Sequence, residues 1–485
     1  MLGTFLLTAC KVGPNYRRPE LDVPDHWSAG GQSAFESSIP SRAVGDAAAG
    51  DAWWRVFGDT TLNRLVESAA RQNLDVAQSE LRIAESRAQR DIAAAPLFPT
   101  VNGTGFAART RLSANGIGTA FSANSSGAGS AAMSSMPSWL NFFQAGFDAT
   151  WELDLFGRVR RSVEAADAQV RSAEAARVDA LVSLSAEIAR VYFNLLGYQR
   201  QMNIALQEIK TQERRQELVT SRNRSGLAPD SDVAAQRTQL SADRATIPQF
   251  EQGIAQSRNR LALLLALPPG AMAATGQSDL PPLPPEVPVG LPGDLLRRRP
   301  DIRERESELA AATARVGVAE AALFPSVTLG AGAGFQSTAS STLFDWASRF
   351  LAGGGEVSLP IFSGGKLTGQ VRVANLQQQE ALLNYRQVVL NAFHEVDDAL
   401  IAYAADQRRT DAVQQQLAGA RRSRDLAAAR YRDGLSAYIE VLDADRQAHQ
   451  AEQDLAQAEV AAAADLIALF KALGGGWNDG VEQTM

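Results

Sequence analysis

The stretch VDALVSLSAEIARVYFNLLG (178–197) returns 208 residues later as RQVVLNAFHEVDDALIAYAA (386–405), with apolar or small residues at matching places. Under that shift Leu181, Leu184, Ile188, Val191 and Leu195 fall on Val389, Ala392, Val396, Ala399 and Tyr403. Their alternating spacing of three and four is that of a helix with a coiled-coil-like seam. The match runs without a gap from 157–266 onto 365–474, so the chain is a tandem duplication. Further out, APLFPTV (95–101) matches ALFPSV (322–327) at an offset of 226, which places Asp75 on Asp301, and ELDLF (152–156) matches SLPIF (358–362) at 206. The difference of 20 locates one larger loop in the first copy, rich in Ser, Gly and Ala and spanning roughly 111–140.

No proline interrupts the helical pattern from Arg158 to Ser225. Those 68 residues, at 1.5 Å each, predict a rod of roughly 100 Å, which no compact domain holds. Gly226 and Gly434 suit the left-handed position that ends a helix. A return helix is expected from about Asp230 to Leu267, kinked at Pro248, and the second copy repeats the pair as 365–433 and 437–473. Each return helix is too short for its rod. Residues 300–323 are expected to continue the first return helix end to end, and residues 73–95 the second. Between the copies, 268–292 holds eight of the 20 prolines and reads as an extended excursion. The organisation is then a signal segment (1–9), an extended segment with a first helix (10–72), a first repeat (73–267), a Pro-rich segment (268–293), a second repeat (294–473) and a tail (474–485).

Between the helices the period changes to two. Phe143, Ala145, Phe147, Ala149, Trp151, Leu153 and Leu155 alternate with Gln144, Gly146, Asp148, Thr150, Glu152 and Asp154. Val327, Leu329, Ala331, Ala333 and Phe335 alternate with Ser326, Thr328 and glycines, while 100–110 and 351–362 alternate more weakly. Four strands of this length fit either a soluble half-buried sheet or bilayer-crossing strands of about 9–11 residues. In the second case four strands are too few to close a barrel and open edges are forbidden in lipid, so the chain must oligomerise.

Composition narrows the function. With 47 basic against 54 acidic residues the chain has a net charge of -7, which argues against a broad phosphate-neutralising face and against nucleic acid as a partner. The longest interior apolar run, Leu261 to Leu267, is far short of a spanning helix. His26, His394 and His449 are scattered, and one cysteine excludes an intrachain disulfide and a multi-cysteine metal site. Ser363-Gly364-Gly365-Lys366 imitates a phosphate loop, but Leu367 and Pro360 stand where that loop needs Ser or Thr and Gly. The string GAGAG (330–334) lies within a strand and not at the start of a helix. No catalytic constellation, cofactor site or metal site is found, and the expectation is that the protein is not an enzyme.

The single cysteine, Cys10, ends the run Leu7-Thr8-Ala9-Cys10, which fits either an inert terminal thiol or a cleavage site ahead of a lipidated cysteine. Only nine residues precede it and none is charged, so the start as given is expected to be incomplete.

In order along the chain stand CKVGPNYRRP (10–19), AWWRVFGD (52–59), WELDLFGRVRR (151–161), DLLRRRPDIR (294–303), AALFPSV (321–327), LPIFSGGK (359–366) and ARYRDGLSAYIEVLDA (429–444). On these segments the chain resembles the TolC-like outer-membrane efflux ducts, in particular the NodT-type lipoproteins. The resemblance selects lipidation at Cys10. It implies a homotrimer in which each chain gives four strands to a 12-strand outer-membrane barrel and its rods to an α-helical periplasmic barrel. It also implies docking on a periplasmic adaptor and an inner-membrane RND pump. Lys11, in place of the Asp tied to inner-membrane retention, suits delivery to the outer membrane.

The resemblance further implies a gate at the periplasmic end. Glu440 and Asp443 lie i, i+3 on one helical face and match acidic constrictions of the family, and Ile439 matches an apolar one. Three chains would bring six carboxylates to one neck, where like charges repel and favour cations. Arg430 and Tyr431 match positions that latch the inner helix pair, with Asp230 or Asp232 as expected acceptors. Gly226-Leu227 and Gly434-Leu435 are the candidate adaptor-contact tips. The expected function is a passive exit duct for drugs or other small molecules; the alternatives are a duct for protein export or metal-ion efflux, and a lipid-anchored periplasmic coiled-coil scaffold.

Overall fold

The computed structural model describes residues 11–28, 33–34, 36, 41–45, 52–111, 139–272 and 279–475. Cys10, the signal segment and most of the expected outer loop lie outside the described residues. In chain order the elements are β1 (Arg42–Val44), α1 (Thr60–Gln72), α2 (Leu74–Ala94), β2 (Thr100–Arg111), β3 (Trp139–Leu153), α3 (Arg158–Arg224), α4 (Asp230–Leu264), β4 (Glu286–Pro288), α5 (Pro300–Ala321), β5 (Ser326–Ser337), β6 (Arg349–Ser358), α6 (Lys366–Arg432) and α7 (Tyr438–Ala472).

The duplication carries through to element lengths. Both rods, α3 and α6, have 67 residues, and both return helices, α4 and α7, have 35. The first return helix stops at Leu264, earlier than the expected Leu267, because Ala266 takes a left-handed φ of 54° and the Leu267 N–H donates to the Ala262 carbonyl at 2.8 Å. Its repeat counterpart, Gly474, does the same with φ 67°. No described helix is long and apolar enough to cross a membrane.

The chain divides into two compact units, each drawing segments from both repeats. The first, Met1–Arg17 with Glu85–Val170 and Glu308–Ala381, contains a four-stranded antiparallel sheet of order β2-β3-β5-β6. Its register sorts the side chains by chemistry. One face carries Val101, Phe143, Phe147, Trp151, Leu329, Phe335, Leu351 and Val357; the other carries Asn102, Thr104, Gln144, Asp148, Glu152, Thr328, Gln336 and Glu356. Phe106, Leu140, Phe142 and Phe350 break the polarity of the second face, the Phe106 and Phe142 rings lying 6.0 Å apart toward the β2–β3 turn. The last strand ends at Ser358, two residues before Pro360, which has no N–H to donate to a ladder. Strands β2 and β6 are the two edges.

Beside the sheet, Arg161 is wholly buried and donates to the carbonyls of Val12 at 2.9 Å and Gly13 at 2.8 Å and to Asn15 Oδ1 at 3.0 Å. Gly13, at φ 90°, lies so near Gly317 of α5 that a Cβ would strike its backbone. These contacts explain why the segments around Gly13 and Arg161 have the residues they do. An N-terminal strap is pinned between two helices.

The second unit comprises Arg18–Ala84, Arg171–Ser307 and Leu382–Met485. Its core gathers Trp53, Leu62, Ile188, Tyr192, Phe193, Leu195, Leu261 and Phe470, with Trp53 stacked on Phe470 at 5.2 Å and Phe57 against Phe193 at 4.8 Å. Asp59 caps α1 by accepting from the Thr61 and Leu62 N–H groups at 2.7 and 3.0 Å, and its other oxygen accepts from the Tyr192 hydroxyl at 2.8 Å. Burial and that carboxylate push the Tyr192 phenol well up. Parallel pairing of β1 with β4 ties the segment after the strap to the Pro-rich excursion. There Tyr403 donates to Ser41, and burial pushes its phenol up to about 12.

The end-to-end junctions reverse the sequence expectation. At the end of α4 the Leu264 carbonyl accepts from Asn73, at the head of α2. At the end of α7 the Ala472 carbonyl accepts from Arg299, at the head of α5. Residues 74–94 thus follow the first return helix and 300–321 the second. Length arithmetic was unable to decide this, because the two short helices differ by one residue, 21 against 22.

Candidate gate and docking tip

The two rods end alike. Gly226 and Gly434 both take φ 73°, and the Leu227 and Leu435 N–H groups reach back to the carbonyls of Arg222 and Arg430, each at 2.8 Å. This six-residue closure satisfies the last carbonyls of each rod and turns the chain sharply. Leu227 and Leu435 are each 69% exposed. Both tips therefore present an isolated apolar side chain on a stiff turn.

Inside the turns the repeats diverge. The first tip holds itself by polar bonds: the Asn223 amide donates to the Ala228 carbonyl and to Asp230 Oδ1, both at 2.9 Å. The positions equivalent to Asn223 and Asp230 in the second tip are Tyr431 and Tyr438, whose rings lie 5.2 Å apart. The Arg222 guanidinium sits 4.8 Å over the Tyr431 ring, joining the two rods by a cation–π contact. Val219 of α3 and Tyr438, Val441 and Leu442 of α7 form a buried cluster, packed by Val233 and Ala235 of α4. All four long helices meet here.

A buried polar chain fixes the register of the cluster. The Tyr438 hydroxyl donates to Gln236 Oε1 at 2.6 Å, and the Gln236 amide donates to the Gln212 carbonyl and side chain at 2.9 and 2.8 Å. Burial pushes the Tyr438 phenol up to about 12, so it remains a neutral donor. Asp445, on the same side of α7, pairs with Arg215 of α3. None of Gln212, Gln236, Arg215 or Asp445 stood out in the sequence; a buried polar residue looks like any other helix polar residue until its neighbours are known.

On the opposite side of α7, Ile439, Glu440 and Asp443 are all exposed, so the three expected gate residues share one face directed away from the chain's own core. Arg446 joins them there. Its Nη1 donates to Asp443 Oδ1 at 3.1 Å and its Nε to Gln239 of α4 at 3.0 Å. Sequence reading missed this arginine, although i, i+3 spacing from Asp443 was the available signal. It halves the local excess of negative charge on that face.

Within one chain the expected latch partners form no ion pair with one another among the described residues. Arg430 is exposed and makes no ion pair among the described residues, while Asp230 is taken by Asn223 and Asp232 by the Ser231 hydroxyl at 3.5 Å. Tyr431 is held by rings and a guanidinium and not by a carboxylate. Among the described residues no cluster of His, Cys, Asp and Glu suits a metal ion.

The profile of the outer membrane efflux protein family matches residues 65–267 and 291–475. The chain belongs to that family. It is an outer-membrane channel component of an efflux system, extending into the periplasm. Among its relatives in this family is the probable efflux pump outer membrane protein TtgC of Pseudomonas putida, 33% identical over 98% of this chain and 94% of that protein. The cation efflux system protein CusC of Escherichia coli is 30% identical over 97% of both. Of solved structures, the outer-membrane channel OprN superposes with a TM-score of 0.85 at 33% identity, covering 96% of this chain and all of that one. A CusC structure gives 0.80 at 28% identity over the same shares.

Proposed function

We propose that three copies of this chain form a passive exit duct for small molecules, joined in the periplasm to an adaptor protein and an inner-membrane RND pump, and lipid-anchored through Cys10. The sheet carries this reading. It has four membrane-length strands, one apolar face and two unpaired edges, β2 and β6. Lipid tolerates no open edge. Two copies would give about eight strands, whose interior side chains fill; three give twelve and leave a bore.

In this duct Glu440, Asp443 and Ile439 line the periplasmic neck, and docking at the leucine tips spreads it. Arg430 and Tyr431 hold the resting neck shut, with Arg430 turned toward acids of a neighbouring protomer, among which Asp230 and Asp232 are candidates. Exposed pairs of this kind are worth about 0–1 kcal/mol each, so a latch built from them is easily released. The pumping energy and the choice of cargo then lie with the partner pump. Pyoverdine export by OpmQ of Pseudomonas putida and cation efflux by CusC show two cargo classes among relatives. Among the described residues, the proposed neck positions Ile439, Glu440 and Asp443 bring no Met, Cys or His set to favour metal ions.

The test is assembly and conduction. Unboiled protein should run on a gel as a heat-modifiable trimer and, in a planar bilayer, open small cation-preferring steps. A monomer, or a trimer that never conducts, overturns the reading.

A further inference from the structure

The charges of the sheet are sorted by face and by end. On the polar face every charge is acidic: Asp148, Glu152 and Glu356. On the apolar face every charge is an arginine: Arg109, Arg111 and Arg349. The register settles the placement, because Arg111 is opposite Trp139 and Arg349 opposite Phe335, both on the apolar side. All three arginines lie at the end of the sheet where β2 turns into β3 and β5 into β6. The helices leave from the other end, toward the periplasm, so the arginine end is the outer one.

Each guanidinium is set against a tryptophan. Arg109 and Arg111 lie 5.2 and 5.8 Å from the Trp139 ring centre, and Arg349 lies 3.9 Å from that of Trp346. Trp346 and the neighbouring Phe344 are 75% and 72% exposed. Yet none of the three arginines forms an ion pair among the described residues. Asp345, the one acid of the β5–β6 turn, pairs with none of them, and the β2–β3 loop, residues 112–138, has no Asp or Glu at all. Aromatic rings at this level are expected of a membrane interface. That does not explain three arginines at the edge of an apolar band with no carboxylate partner among the described residues.

Arg109 and Arg111 are on edge strand β2 and Arg349 on edge strand β6. Closing the sheets into a trimeric barrel joins those edges and brings the two groups to a common seam, three times around the rim. We propose that each seam docks the phosphate groups of a phosphorylated glycolipid of the outer leaflet, of the lipid A type, with the tryptophans against its sugars and acyl roots. Planar guanidinium forks suit phosphate oxygens, the apolar band below suits acyl chains, and the absence of acids on this face removes the competing counter-charge. The inference rests on the trimeric reading above.

Full-length protein purified as a trimer, stripped of lipid and titrated with diphosphoryl lipid A, should retain up to three copies per trimer in native mass spectra. The triple variant Arg109→Gln, Arg111→Gln, Arg349→Gln should bind on the order of tenfold more weakly, as loss of several charge-assisted phosphate bonds implies. Arg408→Gln, an exposed helix arginine, should bind like the parent. Dephosphorylated lipid A should bind the parent no better than the triple variant binds the intact lipid, which tests the idea even if that variant fails to assemble. Equal binding of the dephosphorylated lipid, unchanged binding by an assembled triple variant, or displacement by millimolar inorganic phosphate alone overturns the proposal. Heat-modifiable migration, read on the same samples, separates loss of the trimer from loss of the lipid.

Discussion

Asn73 and Arg299, which occupy equivalent places in the two repeats, each donate to a last-turn carbonyl of a return helix, Leu264 and Ala472, at 2.9 Å. One is neutral and the other charged. Asn73 also caps α2 by accepting from the Asp75 and Val76 N–H groups at 2.9 and 3.2 Å. Arg299 instead pairs with Asp301 at 2.6 Å and Glu395 at 2.7 Å, and these carboxylates hold its guanidinium above its ordinary value against the opposing effect of burial.

The two junctions should therefore fail differently. Asn73→Ala removes a cap and one buried bond, and about 1–2 kcal/mol of stability should go with it. Arg299→Ala leaves Asp301 and Glu395 without their partner and Asp179 with Lys471 alone, and, since both partner acids keep access to water, a loss of about 2–3 kcal/mol is expected. Burial and Asp301 already push the Asp179 carboxyl up. Denaturant midpoints of the two variants, compared at pH 7 and pH 5, check the contrast; the gap should narrow at pH 5, where Asp179, already pushed up, more readily takes up a proton.

How far these features were legible in the sequence depends on their range. The rods, their glycine stops and the strand alternation were readable because each is a local period or a local backbone demand. Ile439, Glu440 and Asp443 sharing a face follows from helix geometry alone. The reversed junctions were not readable, because Asn73 meets Leu264 across 191 residues and two helices of nearly equal length fit either slot. The tip cluster was missed for a related reason. Tyr431 and Tyr438 replace Asn223 and Asp230 in the repeat alignment, and only the fold shows that both pairs do the same work of holding a turn.

At the neck, Asp443 and its arginine should act in opposite directions on permeation. In planar bilayers Asp443→Ala with Glu440→Ala should raise conductance and weaken cation preference, since on the proposed reading these carboxylates narrow and polarise the neck. Arg446→Gln should strengthen cation preference by leaving the Asp443 carboxylate uncompensated. Conductance and reversal potential under a salt gradient read both, and identical shifts in the two variants would show that the pair does not face the bore.

A carboxyl pair between α6 and α7 should give the helical unit a specific pH response. Burial, and then the Asp406 carboxylate beside it, push the Asp465 carboxyl up to about 6 from an ordinary 3.8. Between those values the folded chain holds a proton that the unfolded chain releases, so the pair's contribution to stability rises as pH falls through 6 and levels off near 4. Asp465→Asn should stabilise the protein at pH 7 by on the order of 1 kcal/mol, a figure reduced for solvent screening of a half-exposed pair. The gain should fade by pH 4. Thermal midpoints of variant and parent across that range test it, and a gain that is constant with pH would assign the effect to something other than this proton.

The N-terminal strap should depend on one guanidinium and one glycine. Arg161→Ala deletes the bonds to Val12, Gly13 and Asn15 and opens a buried gap against Gly317, whereas Arg161→Lys keeps the charge without the fork that spans three acceptors. Gly13→Ala attacks the same joint from the other side, because φ 90° disfavours a side chain and its Cβ would strike Gly317. All three variants should free residues 11–17, which shows as faster trypsin cleavage after Lys11 and Arg17 with the rods still intact; the bond after Arg18 is shielded by Pro19. Glu306 pairs with Arg18 at 2.6 Å, so Glu306→Gln, which leaves the Arg161 joint intact, should speed cleavage after Arg17 and leave Lys11 protected. Uniform cleavage across the four variants would mean that the strap is held elsewhere than at Arg161.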